Sequence, residues 1–186
     1  MTNTVDTLEL TAYPDIYFSS MMTEISRAYN IRACTEEIIP LRHGPSFYFE
    51  NAVLSNVLEN VVTGHTNHVW RYENASDSIY IYPETKSISM IRCASVSVTN
   101  APLKALFDEN DLLGLKKSGF NCMKIMSDEN SLLNETVSLE LEEPYVWQVL
   151  DAICERLSGF SSWQMQVFYA TTGCRYIIYF DKMPSD

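Results

Sequence analysis

The chain repeats itself. Residues 46–61, SFYFENAVLSNVLENV, align with residues 138–153, SLELEEPYVWQVLDAI, at an offset of 92. Ser46 matches Ser138, Phe47 matches Leu139, Phe49 matches Leu141 and Glu50 matches Glu142. Val57-Leu58-Glu59 then matches Val149-Leu150-Asp151, and Val61 matches Ile153. A repeat at this spacing means one supersecondary unit used twice, so whatever fold explains one half has to explain the other. Within each copy the period changes midway. Phe47 and Phe49, like Leu139 and Leu141, alternate with tolerant positions, which is the period of a half-buried strand. Val53, Val57, Leu58, Val61 and Tyr145, Val149, Leu150, Ile153 then follow i, i+4, i+5, i+8, which lays one apolar stripe along a helix. Gly64 and Gly159 stand where a helix C-terminus favours glycine, and Pro144 stands near a helix start.

Downstream, each copy closes in two aromatic strands. The first pair is His68–Tyr72 and Ile79–Tyr82 around a turn at Asn74–Ser78; the second is Trp163–Tyr169 and Tyr176–Phe180 around Thr171-Thr172-Gly173. Both read as β-hairpins. Upstream, Leu8–Thr11 and Val96–Thr99 read as strands, each followed three residues later by a proline, Pro14 or Pro102. A helix is expected from about Ile16 to Tyr29, with Phe18, Met22, Ile25 and Tyr29 on one face. Its counterpart is expected from Leu103 to Lys117, with Leu103, Leu106, Leu113 and Lys117 less cleanly aligned. Gly114 and the acidic run 108–111 weaken that second helix. Short strands follow at Ile31–Cys34 and Phe120–Met126.

The expected fold class is therefore α+β: two tandem β-α-β-β-α-β-β units, each a small sandwich of two helices and two small mixed sheets. The first spans 1–86 and the second 87–186. Pro83 closes the last strand of the first unit, and YPETKS reads as a short linker.

Chain chemistry narrows the function. There are 13 basic and 24 acidic residues, for a net charge of −11. That balance excludes nucleic acid as an expected partner, because phosphate binding needs clustered Lys and Arg. No stretch approaches the ~20 apolar residues that span a bilayer as a helix. The start MTNTVDTLEL has neither a basic n-region nor an apolar h-region. Either the protein is cytoplasmic, or Met1 stands after a removed leader. Cys34, Cys93, Cys122, Cys154 and Cys174 include no C-x-x-C pair, and Cys154 lies in an apolar run, so they read as small buried hydrophobes.

No catalytic, cofactor-binding or metal-binding residues are expected. His65 and His68 with Glu73 allow a metal site to be drawn, but a surface loop explains them better. His43 lies in a turn sequence. Neither a nucleophile elbow nor a phosphate loop is present. Glu142 and Glu143 are adjacent on a strand and so face opposite ways, which is no dyad. The aromatics carry more weight. Ile79 and Ile81 face the core, so Tyr80 and Tyr82 form a stripe on the outer face. With Trp70, Tyr72, Trp163, Tyr169, Tyr176 and Tyr179 they are the possible partner-binding residues. The alternative use of the stripe is packing between the halves.

The residues Val96-Ser97-Val98-Thr99-Asn100-Ala101-Pro102-Leu103 and Val137–Leu141 with Val149–Ile153 resemble the short N-terminal (STN) domain of secretins and TonB-dependent receptors. In the first half the matching residues are Phe47–Ala52, Val57-Leu58 and Ile79–Pro83. Taken twice, the resemblance covers nearly the whole chain. It implies two helices between a two-stranded and a three-stranded sheet, and a non-enzymatic, periplasmic or cell-envelope protein-interaction module without catalytic residues. The chain departs from that family's usual context, since no barrel, plug or secretin domain follows. The other reading is an acidic cytoplasmic binding protein of the secretion-chaperone kind, which the five cysteines favour.

Overall fold

The structure, a computed structural model, describes residues 4–11, 17–39, 45–63, 67–108, 114–127, 135–157, 160–171 and 173–182. Pro14, Ile16, His43, Gly64, His65, Leu113, Gly159 and Thr172, all used above, lie outside the described residues. The protein is mixed α+β. Its described residues fall into two compact units, one within 1–86 and one within 87–183.

In the first unit, strand β1 (Thr4–Leu10) leads to helix α1 (Tyr17–Tyr29), strand β2 (Arg32–Ile39) and strand β3 (Phe47–Val53). Helix α2 (Leu54–Leu58) runs into a π-helical turn at Glu59–Thr63, and strands β4 (His68–Glu73) and β5 (Ser78–Pro83) follow. β1 pairs antiparallel with β3, Leu8 facing Phe49 and Leu10 facing Phe47. β5 lies between β4, antiparallel, and β2, parallel. Leu8, Leu10, Met22, Ile25, Val57, Leu58, Val61, Ile79 and Ile81 meet in one core. Burial of these side chains is the main force holding the unit, at roughly 1.5–3 kcal/mol for each large one.

α1 stops for a legible reason. Asn30 takes a left-handed φ of 49°. That turns the chain so that the Ile31 N–H reaches the Ser26 carbonyl at 3.1 Å, the six-to-one bond that closes a helix. Tyr29, the last residue of α1, donates from its hydroxyl to the Ala52 carbonyl at 2.9 Å and is buried. Burial raises its pKa above the ordinary phenol value. Tyr29→Phe is expected to cost about 1 kcal/mol, since one buried carbonyl loses its donor. Urea unfolding of the two proteins measures it, and an unchanged midpoint would show that the bond adds nothing.

In the second unit, strand β6 (Val96–Pro102) leads to helix α3 (Leu103–Asp108), strand β7 (Phe120–Ser127) and strand β8 (Thr136–Leu141). Helix α4 (Val146–Arg156) and strands β9 (Phe160–Ala170) and β10 (Gly173–Lys182) complete it. β6 pairs antiparallel with β8, its register shifting between Val98 and Ala101, where Asn100 has a φ of 48°. β10 lies between β9, antiparallel, and β7, parallel. Val149, Leu150 and Ile153 of α4 are buried, as are Trp163, Met165, Ile178 and Phe180.

Several expectations need correction. The helix expected over Leu103–Lys117 is not continuous; its described part is α3, Leu103–Asp108. Gly114 has a φ of 65°, which a helix does not accommodate, and a separate 3₁₀ turn forms at Lys116–Ser118, with Lys117 exposed. Val53 and Tyr145, placed on helical stripes, are instead the extended residues just before α2 and α4. Residues 87–93, which follow the expected linker, pack against the second unit: Ile88, Ser89 and Cys93 are buried. Their carbonyls cover the start of α4. The Val146 N–H donates to Ile91 and the Trp147 N–H to Ser89, both at 3.0 Å, satisfying backbone donors that a helix cannot pair internally. The Tyr145 N–H donates to Gln148 Oε1 at 2.8 Å.

Candidate functional site

Two places attract attention: the aromatic hairpins, and the outer face of the β1–β3 sheet. The hairpins do not present an exposed stripe. Tyr80 is 2 % exposed, and Tyr82 is half-buried. β5 is an interior strand of its sheet, and an interior strand is covered on both faces more often than an edge. The signal was present: SIYIYP contains no charged residue. Arg71, in register beside Tyr80 on β4, places its guanidinium 5.0 Å from the ring centroid, a cation–π contact. Trp70 and Tyr72 pack against the core of the first unit. Trp70 Nε1 also donates to Glu59 Oε2 at 3.2 Å. The Tyr72 hydroxyl donates to Asp77 across the hairpin turn, and that hydrogen bond raises the Tyr72 pKa.

In the second unit Trp163 and Tyr176 are core residues. Trp163 Nε1 donates to Asp151 Oδ1 at 2.8 Å, inside the unit. Tyr179 is half-buried and its hydroxyl donates to Gln166 Oε1 at 3.3 Å. Of the eight aromatics expected to meet a partner, Tyr169 alone is exposed, at 44 %. The structure thus spreads them through two cores and two sheet faces rather than gathering them into one patch.

Sequence reasoning passed over Tyr48, which is 63 % exposed. It sits on β3 between Phe47 and Phe49, whose rings turn inward and stack at 5.8 Å between centroids. Strict alternation puts Tyr48 on the opposite face from them, so its outward aim was legible from FYF. Its cross-strand partner is Glu9, and Thr7 faces Glu50 in the next outward pair. All four residues are exposed. β1 and β3 together carry Asp6, Glu9 and Glu50 and neither Lys nor Arg. A groove of about 430 Å³ lies between Glu9 and Thr11 and the Ser20, Thr23 and Glu24 side of α1. Glu24 there is held by Arg27 at 2.9 Å.

Among the described residues, no group of three or more His, Cys, Asp or Glu is placed to hold a metal. Of the histidine site drawn from sequence, His68 is buried on β4 and His65 lies outside the described residues. Glu142 and Glu143 follow β8 and are exposed. Glu143, at a φ of 41°, pairs with Arg92 at 3.7 Å. None of the five cysteines is in a disulfide, and four of them are buried.

No family model, curated protein or solved structure matches the chain. Among the described residues, no helix is long and apolar enough to cross a membrane.

Proposed function

We propose that the protein is a non-enzymatic interaction module made of two tandem units of the secretin and TonB-receptor short N-terminal type, working in the cell envelope. One observation carries this reading. Each half pairs its strands in the same way: the first with the third antiparallel, and the fifth between the fourth and the second. Two helices and the sequence repeat accompany that pairing in both halves. The shared topology supports common ancestry of the halves, and the joining of two strands and of three within each unit accords with what the resemblance implies. The surface suited to a partner is the outer β1–β3 face around Tyr48, since an exposed aromatic ring flanked by polar groups is a usual anchor at protein interfaces.

The test is site-specific photocrosslinking in the host that encodes the chain. A benzophenone side chain replacing Tyr48 is expected to give one discrete heteromeric adduct, in the envelope fraction. The same probe at exposed Tyr169 is the control. Equal diffuse labelling from both positions defeats the reading. A homodimeric adduct in the cytosolic fraction supports the alternative, an acidic cytoplasmic binding protein of the secretion-chaperone kind. Five cysteines without a disulfide favour that alternative, because thiols persist in a reducing compartment.

A further inference from the structure

We infer that the free edge of β1 receives an extended, basic segment of the partner, which adds to the β1–β3 sheet as a third strand. The inference rests on the module reading and specifies the chemistry of its partner.

Three observations meet at this edge. Among the described residues β1 pairs with β3 alone, so one row of its N–H and C=O groups faces away from the sheet, the arrangement that strand addition uses. The groove of about 430 Å³ lies beside the end of that strand, lined by Glu9 and Thr11 on one wall and Ser20, Thr23 and Glu24 on the other. All five lining residues carry polar side chains. Finally, the face is acidic. Asp6, Glu9 and Glu50 stand on the two strands, which carry neither Lys nor Arg, and Arg27 of α1 is engaged with Glu24 through both carboxylate oxygens at 2.9 Å. A segment carrying acidic residues would meet like charge there. One carrying Lys or Arg at alternate positions meets Glu9 and Glu50 with one side and Tyr48 with its aliphatic stems. In the second unit a depression over β6 and β8, lined by Ser97, Thr99, Ser138 and Glu140, includes Arg156 of α4, so the same preference is not expected of that sheet.

The full chain, labelled with ¹⁵N, is titrated with an eight-residue peptide alternating lysine and threonine, and separately with its glutamate–threonine counterpart. The lysine peptide is expected to shift the amide resonances of Thr4–Leu10 and to slow their hydrogen exchange, while the glutamate peptide does neither. The exposed double variant Glu9→Lys with Glu50→Lys is expected to weaken the lysine peptide about tenfold, two attractive surface pairs becoming repulsive. Shifts scattered over all acidic surfaces, no shift at β1, or an undiminished affinity in the double variant would each overturn the inference. A partner that crosslinks through Tyr48 yet contacts β1 with no basic segment also overturns it, and leaves the module reading intact.

Discussion

Trp163→Ala is expected to lower the stability of the second unit by about 3–5 kcal/mol, among the largest effects a single substitution produces. Two losses combine. The indole is 1 % exposed and is among the largest fully buried side chains, so its removal leaves a cavity that the strands cannot collapse to fill. It is also the donor to Asp151, itself buried on α4. Without it a carboxylate stays in the interior short of one hydrogen bond. The two parts separate experimentally. Trp163→Phe keeps most of the volume and removes the donor, with an expected cost of about 1–3 kcal/mol. Asp151→Asn keeps an acceptor oxygen for the indole and is expected to cost less than Trp163→Phe. Urea unfolding followed by far-ultraviolet circular dichroism reads all three. If Trp163→Ala costs under about 1 kcal/mol, the described packing around α4, β9 and β10 is wrong.

Acidification is expected to destabilise the first unit before most carboxylates titrate, through His68. Its imidazole is buried on β4, and burial pushes its pKa down from 6.5 to about 4, against a smaller raising effect of a hydrogen bond with the Glu36 backbone. In the unfolded chain the same ring takes a proton near pH 6.5. Between these values the unfolded state binds more protons, so stability falls as pH falls through this window. It is fully present above about 6.5 and levels off below about 4. The loss amounts to about 2 kcal/mol at pH 5 and roughly 3 kcal/mol at the acid limit. Unfolding free energies measured from pH 7.5 to 5 should show this slope, and His68→Leu should flatten it. A wild-type curve level over that range would mean that water reaches His68 in the folded protein.

These two side chains show where sequence reading reaches and where it stops. The Trp163 strand was legible as a strand, and the helix of Val149, Leu150 and Ile153 was legible as a helix. That Asp151 turns inward to meet the indole was not, because a lone Asp on a helix reads as solvated unless its partner, 12 residues away, is already placed. His68 was read as part of a surface loop for the same reason: burial depends on neighbours that the local pattern does not name. Tyr48 shows the reverse. Its exposure followed directly from alternation with Phe47 and Phe49, and the weight placed on the hairpin aromatics drew attention away from it.

The sequence alone determined the order of strands and helices, the doubling of that order and the inward faces of β3, α2, β8 and α4. Periods of two and 3.6 are consequences of local backbone geometry, which every residue carries with it. Tertiary structure decided how long the helices run. Gly114, in the left-handed region, interrupts the helix expected to run to Lys117, and Asn30 turns the chain so that the Ile31 N–H closes α1 on the Ser26 carbonyl. It also decided that 87–93 serves as a cover for the start of α4, because the N–H groups of Val146 and Trp147 need acceptors and the carbonyls of Ile91 and Ser89 are the ones that reach them. The covering of Tyr80 was likewise a tertiary outcome. Periodicity separates the two faces of a strand, but whether the second face meets water depends on which strands and side chains come to lie against it, and those contacts are made across long stretches of chain.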